Sequence, residues 1–146
     1  MHLLFKLFVF AFWLIPAPWL TNFDQAKTEA GQSHKYILIN FSGSDWCGPC
    51  IRMKKEIFES STFESYATEK LVLVRADFPR LKKNQLPKDQ MKANEALADR
   101  YNPEGKFPFT ILTDESGKIL KQWEGLPNET PEQFVNELNT AMNAPR

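Results

Sequence analysis

Two cysteines stand three positions apart, Cys47 and Cys50, with Gly48 and Pro49 between them. That spacing lets both sulfurs meet across one helical turn and close a small disulfide ring. An apolar run at 36–41 (YILINF) and a loop of turn formers, Ser42, Gly43, Ser44 and Asp45, precede the pair. Pro49 then opens a predicted helix that runs to about Phe58. Proline costs little there, because a first-turn N–H has no helical partner. The first sulfur lies just beyond the helix end, where free N–H groups and the macrodipole favour negative charge. Such a position lowers a thiol pKa from about 8.5 into a range of roughly 3.5 to 7.5, and the thiolate is the attacking species. Cys47 is therefore expected to be the exposed nucleophile. Cys50, one turn into the helix, is expected to be the buried thiol that resolves a mixed disulfide and releases the reduced partner. Trp46 is expected to pack beside the sulfurs.

Other readings of the pair compete. It could be half of a zinc site, but the chain has only His2 and His34 besides its two cysteines, and His2 lies in the leader. Two buried structural cysteines are a second reading, although Gly-Pro at a helix start suits exposure. An inert disulfide is a third, but a ring this small stabilises a fold little. Arg52, Lys54 and Lys55 follow Cys50 and either support thiolate character or form a solvated face.

The elements that must position the pair follow from pattern. Short apolar runs at 36–41 and 71–76 read as buried strands, and 24–30 as a short helix ended by Gly31. Residues 61–69 read as helical. Residues 77–88 are polar, carry Pro79 and Pro87, and read as an exposed excursion. Over 89–101 the spacing of Met91, Ala93, Ala96, Leu97, Ala98 and Tyr101 predicts a helix with one buried stripe. Residues 109–112 and 119–123 form a predicted hairpin around Asp114, Glu115, Ser116 and Gly117, which lacks a calcium-loop pattern. Thr130 and Gln133 have capping-box spacing for a last helix with Phe134, Val135, Leu138 and Met142 inward. Strands alternating with helices imply an α/β fold with a parallel core, and the hairpin adds an antiparallel pair.

Composition bounds the rest. The chain has 146 residues, 42% hydrophobic and 25% charged, as expected of one soluble domain plus a leader. Eighteen basic and eighteen acidic residues cancel, which leaves no electrostatic footprint for nucleic acid. Residues 3–20 hold Lys6 as their one charge, an apolar run from Leu7 to Ile15, then Pro16, Ala17 and Pro18. This resembles a secretory signal peptide with a poor cleavage site; an uncleaved membrane anchor is the rival reading. The expected division is a leader or anchor at 1–20 and a domain at 21–146, exported to the periplasm or the outer face of the cytoplasmic membrane. The membrane is touched only through that segment if it is retained.

The segment from Asn40 to Cys50 (NFSGSDWCGPC) resembles the active-site segment of the thioredoxin superfamily, and its Trp-Cys-Gly-Pro-Cys core matches that of thioredoxin itself. The element order after the leader fits as well, so the resemblance covers nearly the whole domain and implies a central mixed β-sheet flanked by helices. It implies Cys47 and Cys50 as catalytic, with Trp46, Gly48 and Pro49 in support. Phe107-Pro108 fits the family's cis-proline position, where proline faces the cysteines and the preceding backbone pairs with substrate; Gly125 matches a glycine of the substrate groove. The activity implied is thiol–disulfide exchange on protein disulfides by a monomer, with the Cys47–Cys50 couple as the redox group and no other cofactor or metal. Gly-Pro is the dipeptide of the strongly reducing members, which favours a reductase refreshed by a membrane-embedded electron donor. The alternatives are a disulfide oxidase or isomerase, or a non-catalytic binding module. The wording resembles exported bacterial members more than the cytosolic one. Two departures matter: residues 77–88 are longer and more polar than the matching thioredoxin segment, either a partner-docking loop or a solvated excursion, and the family's buried aspartate is replaced by Asn40, which cannot ionise. Proton transfer then falls to water, Glu56 or the leaving thiolate. Trp123 reads as core, and His34 has no assigned role.

Overall fold

The computed structural model describes residues 15–145. Its strands are β1 (Trp19–Leu20), β2 (Tyr36–Ser42), β3 (Leu71–Asp77), β4 (Phe109–Thr113) and β5 (Ile119–Glu124). Its α-helices are α1 (Phe23–Ser33), α2 (Gly48–Met53), α3 (Ser61–Lys70), α4 (Lys88–Tyr101) and α5 (Pro131–Asn143). One mixed sheet runs in the order β1-β3-β2-β4-β5. The first three strands are parallel; β2 with β4 and β4 with β5 are antiparallel.

Both faces of the sheet are covered, which is why β2 and β3 read as continuous apolar runs rather than alternating ones. Ile37, Ile39, Phe41, Val72, Val74 and Ile111 point to the side that holds Ala26 and Ala30 of α1 and Tyr101 of α4. Leu38, Leu73 and Leu112 point to the other side, against Met53, Phe63 of α3 and Phe134 and Leu138 of α5. The fold class and the element order match the sequence expectation. Thr130 caps α5 through the full reciprocal box, its hydroxyl accepting from the Gln133 N–H at 3.2 Å.

Four details differ from expectation. Gly31 does not end α1, which continues to Ser33; the stop is His34, in left-handed backbone at φ 55° with its N–H on the Ala30 carbonyl. A glycine inside a helix costs only about 1 kcal/mol, so packing of Ala26 and Ala30 overrides it. On α4, Ala93 and Ala96 are exposed, whereas Asn94 is buried and its amide donates to the Asp77 carbonyl at 2.9 Å. The helix from Gly48 loosens into a π-helical turn, Lys54–Phe58, that turns Ile57 and Phe58 into the core. Last, Trp19 and Leu20, counted with the leader, pair with Leu73 and Val74, so the sheet begins before residue 21. The Trp19 ring meets Phe58 at 4.9 Å and carries the Arg75 guanidinium 4.0 Å above it. Residues 1–14 of the expected leader lie outside the described residues.

Candidate active site

β2 ends at Ser42, and the chain turns through Gly43 to Trp46 before α2 begins. The turn closes on Gly43, whose carbonyl accepts from the Cys47 N–H at 2.9 Å. A Cβ at Gly43 would enter the Trp46 indole, so a side chain fits there only if that ring moves. Cys47 is the N-cap of α2 and Pro49 sits in the first turn, as the sequence predicts.

Cys47 and Cys50 are joined in a disulfide with their Cα atoms 5.2 Å apart. Their exposure is nearly equal, at 5% and 3%, so the expected contrast of one exposed and one buried sulfur is not seen in the oxidised form. A small ring holds both sulfurs together beneath the exposed Gly48 and Pro49. The difference between them lies in their donors. The Cys47 Sγ accepts from the Cys50 N–H at 3.2 Å, an otherwise unpaired helix-start donor. The Cys50 Sγ accepts from the Gly43 N–H at 3.5 Å, from the loop behind. The donor on Cys47 thus comes from the start of α2 and the donor on Cys50 from the loop before it.

Asn40 is buried and its amide donates to the Thr110 hydroxyl at 3.1 Å, which lies 3.8 Å from the Met53 sulfur. Glu56 does not fill the place of the family's aspartate. It lies on the exposed face of the helix, ion-paired to Arg52 at 3.0 Å. Lys54 pairs with Glu59 at 3.8 Å and is equally exposed, so these cations form a solvated face.

The Phe107–Pro108 peptide bond is cis. The Pro108 carbonyl accepts from the Gly125 N–H at 2.8 Å, which brings Gly125 beside the proline; its φ of 72° suits glycine. Phe107 precedes the β4 ladder, which starts at Phe109. Its ring meets Trp46 edge-on at 5.4 Å and Phe78 at 5.5 Å. Trp46 thus joins the cysteine loop to the proline loop, and its indole N–H donates to the Phe78 carbonyl at 2.8 Å. Trp123 is core, as expected, with its N–H on the Glu137 carboxylate.

Sequence reasoning missed the polar frame of the loop. Asp45 accepts from the Arg80 N–H at 2.9 Å, the Leu81 N–H at 3.0 Å and the Asn84 amide at 3.0 Å. Those bonds, that of Arg80 foremost, hold its carboxyl below the ordinary aspartate range. Asp77 accepts from both the backbone N–H and the hydroxyl of Ser44. Turn-forming residue types were the only sequence signal for either contact. A cavity of about 500 Å³ lies at the far end of the sheet and is lined by Pro16, Ala17, Lys35 and Leu71. It holds neither cysteine; a protein disulfide is met at a surface and needs no enclosed cavity. Among the described residues no helix is long and apolar enough to cross a membrane.

Comparison with known proteins fits this geometry. A profile of the thioredoxin-like domain matches residues 23–142. A curated relative from Chlamydia pneumoniae, disulfide bond reductase DsbH, is 38% identical over 99 residues, which cover 68% of this chain and 58% of that protein. Thioredoxin-related protein DsbJ of the same organism is 28% identical over 120 residues, covering 82% of this chain and 34% of that one. The chain therefore spans a little over half and about a third of these relatives' lengths. A solved structure titled DsbH oxidoreductase superposes with a TM-score of 0.79 at 31% identity, over 90% of this chain and 88% of that one. The solution structure of a thioredoxin from Thermus thermophilus shares the fold, with a TM-score of 0.65 at 14% identity over 88% of this chain and 89% of that one.

Proposed function

The chain belongs to the thioredoxin-like domain family, and from that premise we propose that it is a thiol–disulfide oxidoreductase that reduces disulfides of exported proteins. The observation that carries the reading is the Cys47–Cys50 disulfide at a helix start, with the Cys47 sulfur on a helix N–H. The reductive direction is supported by Gly48-Pro49 between the cysteines and by the 38%-identical relative named a disulfide bond reductase.

In the reduced enzyme the Cys47 thiolate attacks one sulfur of the client disulfide. The client S–S bond breaks, a Cys47–client disulfide forms, and the other client sulfur leaves as a thiolate. Cys50 then gives up its proton and attacks the Cys47 sulfur. The mixed disulfide breaks, the Cys47–Cys50 bond forms, and the second client sulfur leaves. Two electrons pass to the client, whose two thiolates take up one proton from Cys50 and one from solvent. No carboxylate stands in the Asn40–Thr110–Met53 chain, so the Cys50 proton goes to water or to the departing thiolate. Phe107 and Pro108, beside Trp46, form the edge along which the client backbone lies, with Gly125 closing its far side.

Export is supported by the apolar, proline-terminated run at residues 3–20, and in that compartment a membrane-embedded donor returns the electrons. Insulin reduction driven by dithiothreitol tests the activity. The wild type accelerates precipitation of the insulin B chain and Cys47→Ser does not; equal rates would leave a binding module as the reading.

A further inference from the structure

The segment Arg80, Leu81, Lys82 and Lys83 has no part in the exchange chemistry, yet it is built onto the active-site loop. Pro79 is buried at its root. The Asp45 carboxylate, two residues before Cys47, takes the Arg80 and Leu81 N–H groups and the Asn84 amide, and the Gln85 amide closes the segment on the Pro79 carbonyl at 3.2 Å. The Arg80 guanidinium lies 3.7 Å over the ring of Trp46, the residue that abuts the nucleophile. A merely solvated excursion needs no such anchoring to one loop.

The segment's own side chains are mostly cationic. Arg80, Lys82 and Lys83 are all exposed, and among the described residues none is in an ion pair. Asp45 and Asp77 lie in the same frame, bonded to neutral donors, so their charges offset part of this and three cations face two carboxylates. Leu81 stands 48% exposed among the three cations. The chain as a whole carries no net charge, so this is a local excess of cations on a segment tied to the active-site loop through Arg80 and Trp46.

We propose that residues 80–83 are a client-recognition element that docks an acidic segment flanking the disulfide to be reduced. This rests on the reductase reading above and adds the class of client. The cations draw and orient the acidic flank, Leu81 covers an apolar residue within it, and the Arg80–Trp46 stack sets the distance from that flank to Cys47. Complementary charge of this kind acts on encounter and on selection between partners more than on the chemical step.

Two cystine peptides test it, alike but for acidic or neutral residues beside the disulfide, with serine-substituted copies for calorimetric binding. The wild type is expected to bind the acidic peptide roughly tenfold more tightly and to reduce it with a correspondingly lower KM, as charge steering allows. The preference is expected to fade in about 0.5 M salt, where screening is short-ranged. In Lys82→Glu/Lys83→Glu the acidic-to-neutral ratio of kcat/KM falls to one or below. Equal binding of the two peptides by the wild type, or a ratio unchanged in the variant, overturns the proposal. So does binding of the wild type to anionic phosphatidylglycerol vesicles without any peptide preference. Failure to reduce either peptide would sink the reductase reading instead, and the serine-substituted peptides would still decide the docking.

Discussion

Two sulfurs sit at near-equal depth, yet they differ in which N–H groups reach them. The proposed division of roles rests on that difference; of it, the sequence carried only the three-residue spacing and the helix start at Pro49. What could not be read was the oxidised pair's equal burial, because exposure depends on loops that fold over from elsewhere. Gly43 is similar: its necessity comes from the Trp46 indole lying where a side chain would stand. Gly43→Ala is expected to push that ring off Phe107 and Arg80 and to cost about 1–3 kcal/mol, as overpacking does. Urea denaturation and tryptophan fluorescence check this. Wild-type stability with an unshifted spectrum would mean that the ring is not held there. Asn40 was legible as a departure, and the structure adds its partner: an amide bonded to Thr110 needs no counter-charge, which a buried aspartate there would.

Elements whose signal is local were readable. The capping box of α5, the hairpin around Asp114 and the buried runs of β2 and β3 each lie within a few consecutive residues. Contacts that cross the chain were not. Asp45 reaches backbone donors 35 and 36 residues on, and backbone donors carry no sequence mark. The β5–α5 junction is of the same kind. The Glu137 carboxylate accepts from the Trp123 N–H at 2.6 Å and pairs with Lys121 at 2.8 Å. The Lys121 ammonium first, then a hydrogen bond from Glu129 and the indole N–H, hold it down to about 2. A carboxyl held below its unfolded value stabilises the fold above that value, ordinarily 4.5, and the gain is lost as pH falls through about 2. Glu129, raised by its bond to Glu137, works in the opposite sense, its share being lost as pH rises. The stability deficit of Glu137→Gln in urea is therefore expected to be largest near neutral pH and to shrink toward pH 2. A deficit constant across that range contradicts the pairing.

The whole molecule uses both faces of a five-stranded sheet to hold one loop still. One edge is β1, a two-residue strand hidden in a run whose composition reads as a leader. Composition cannot tell an apolar residue bound for a membrane from one bound for a sheet edge. Trp19 is half-buried, covers Phe58 and carries the Arg75 guanidinium, whose Nε and Nη2 have no hydrogen-bond partner of their own. Trp19→Ala is expected to cost about 2–4 kcal/mol, toward the lower part of what losing a core aromatic costs. An unchanged urea midpoint would place Trp19 outside the fold's stabilising contacts. In the proposed mechanism the sheet, the helices and the pinned loop matter through the reactivity they confer on Cys47. Alkylation of the fully reduced protein with iodoacetamide across pH, read by peptide mass, tests that directly. The prediction is that Cys47 is modified with a midpoint below the free-thiol value of about 8.5 and Cys50 far more slowly. Equal modification of both, or a Cys47 that stays unreactive into the alkaline range, would contradict it.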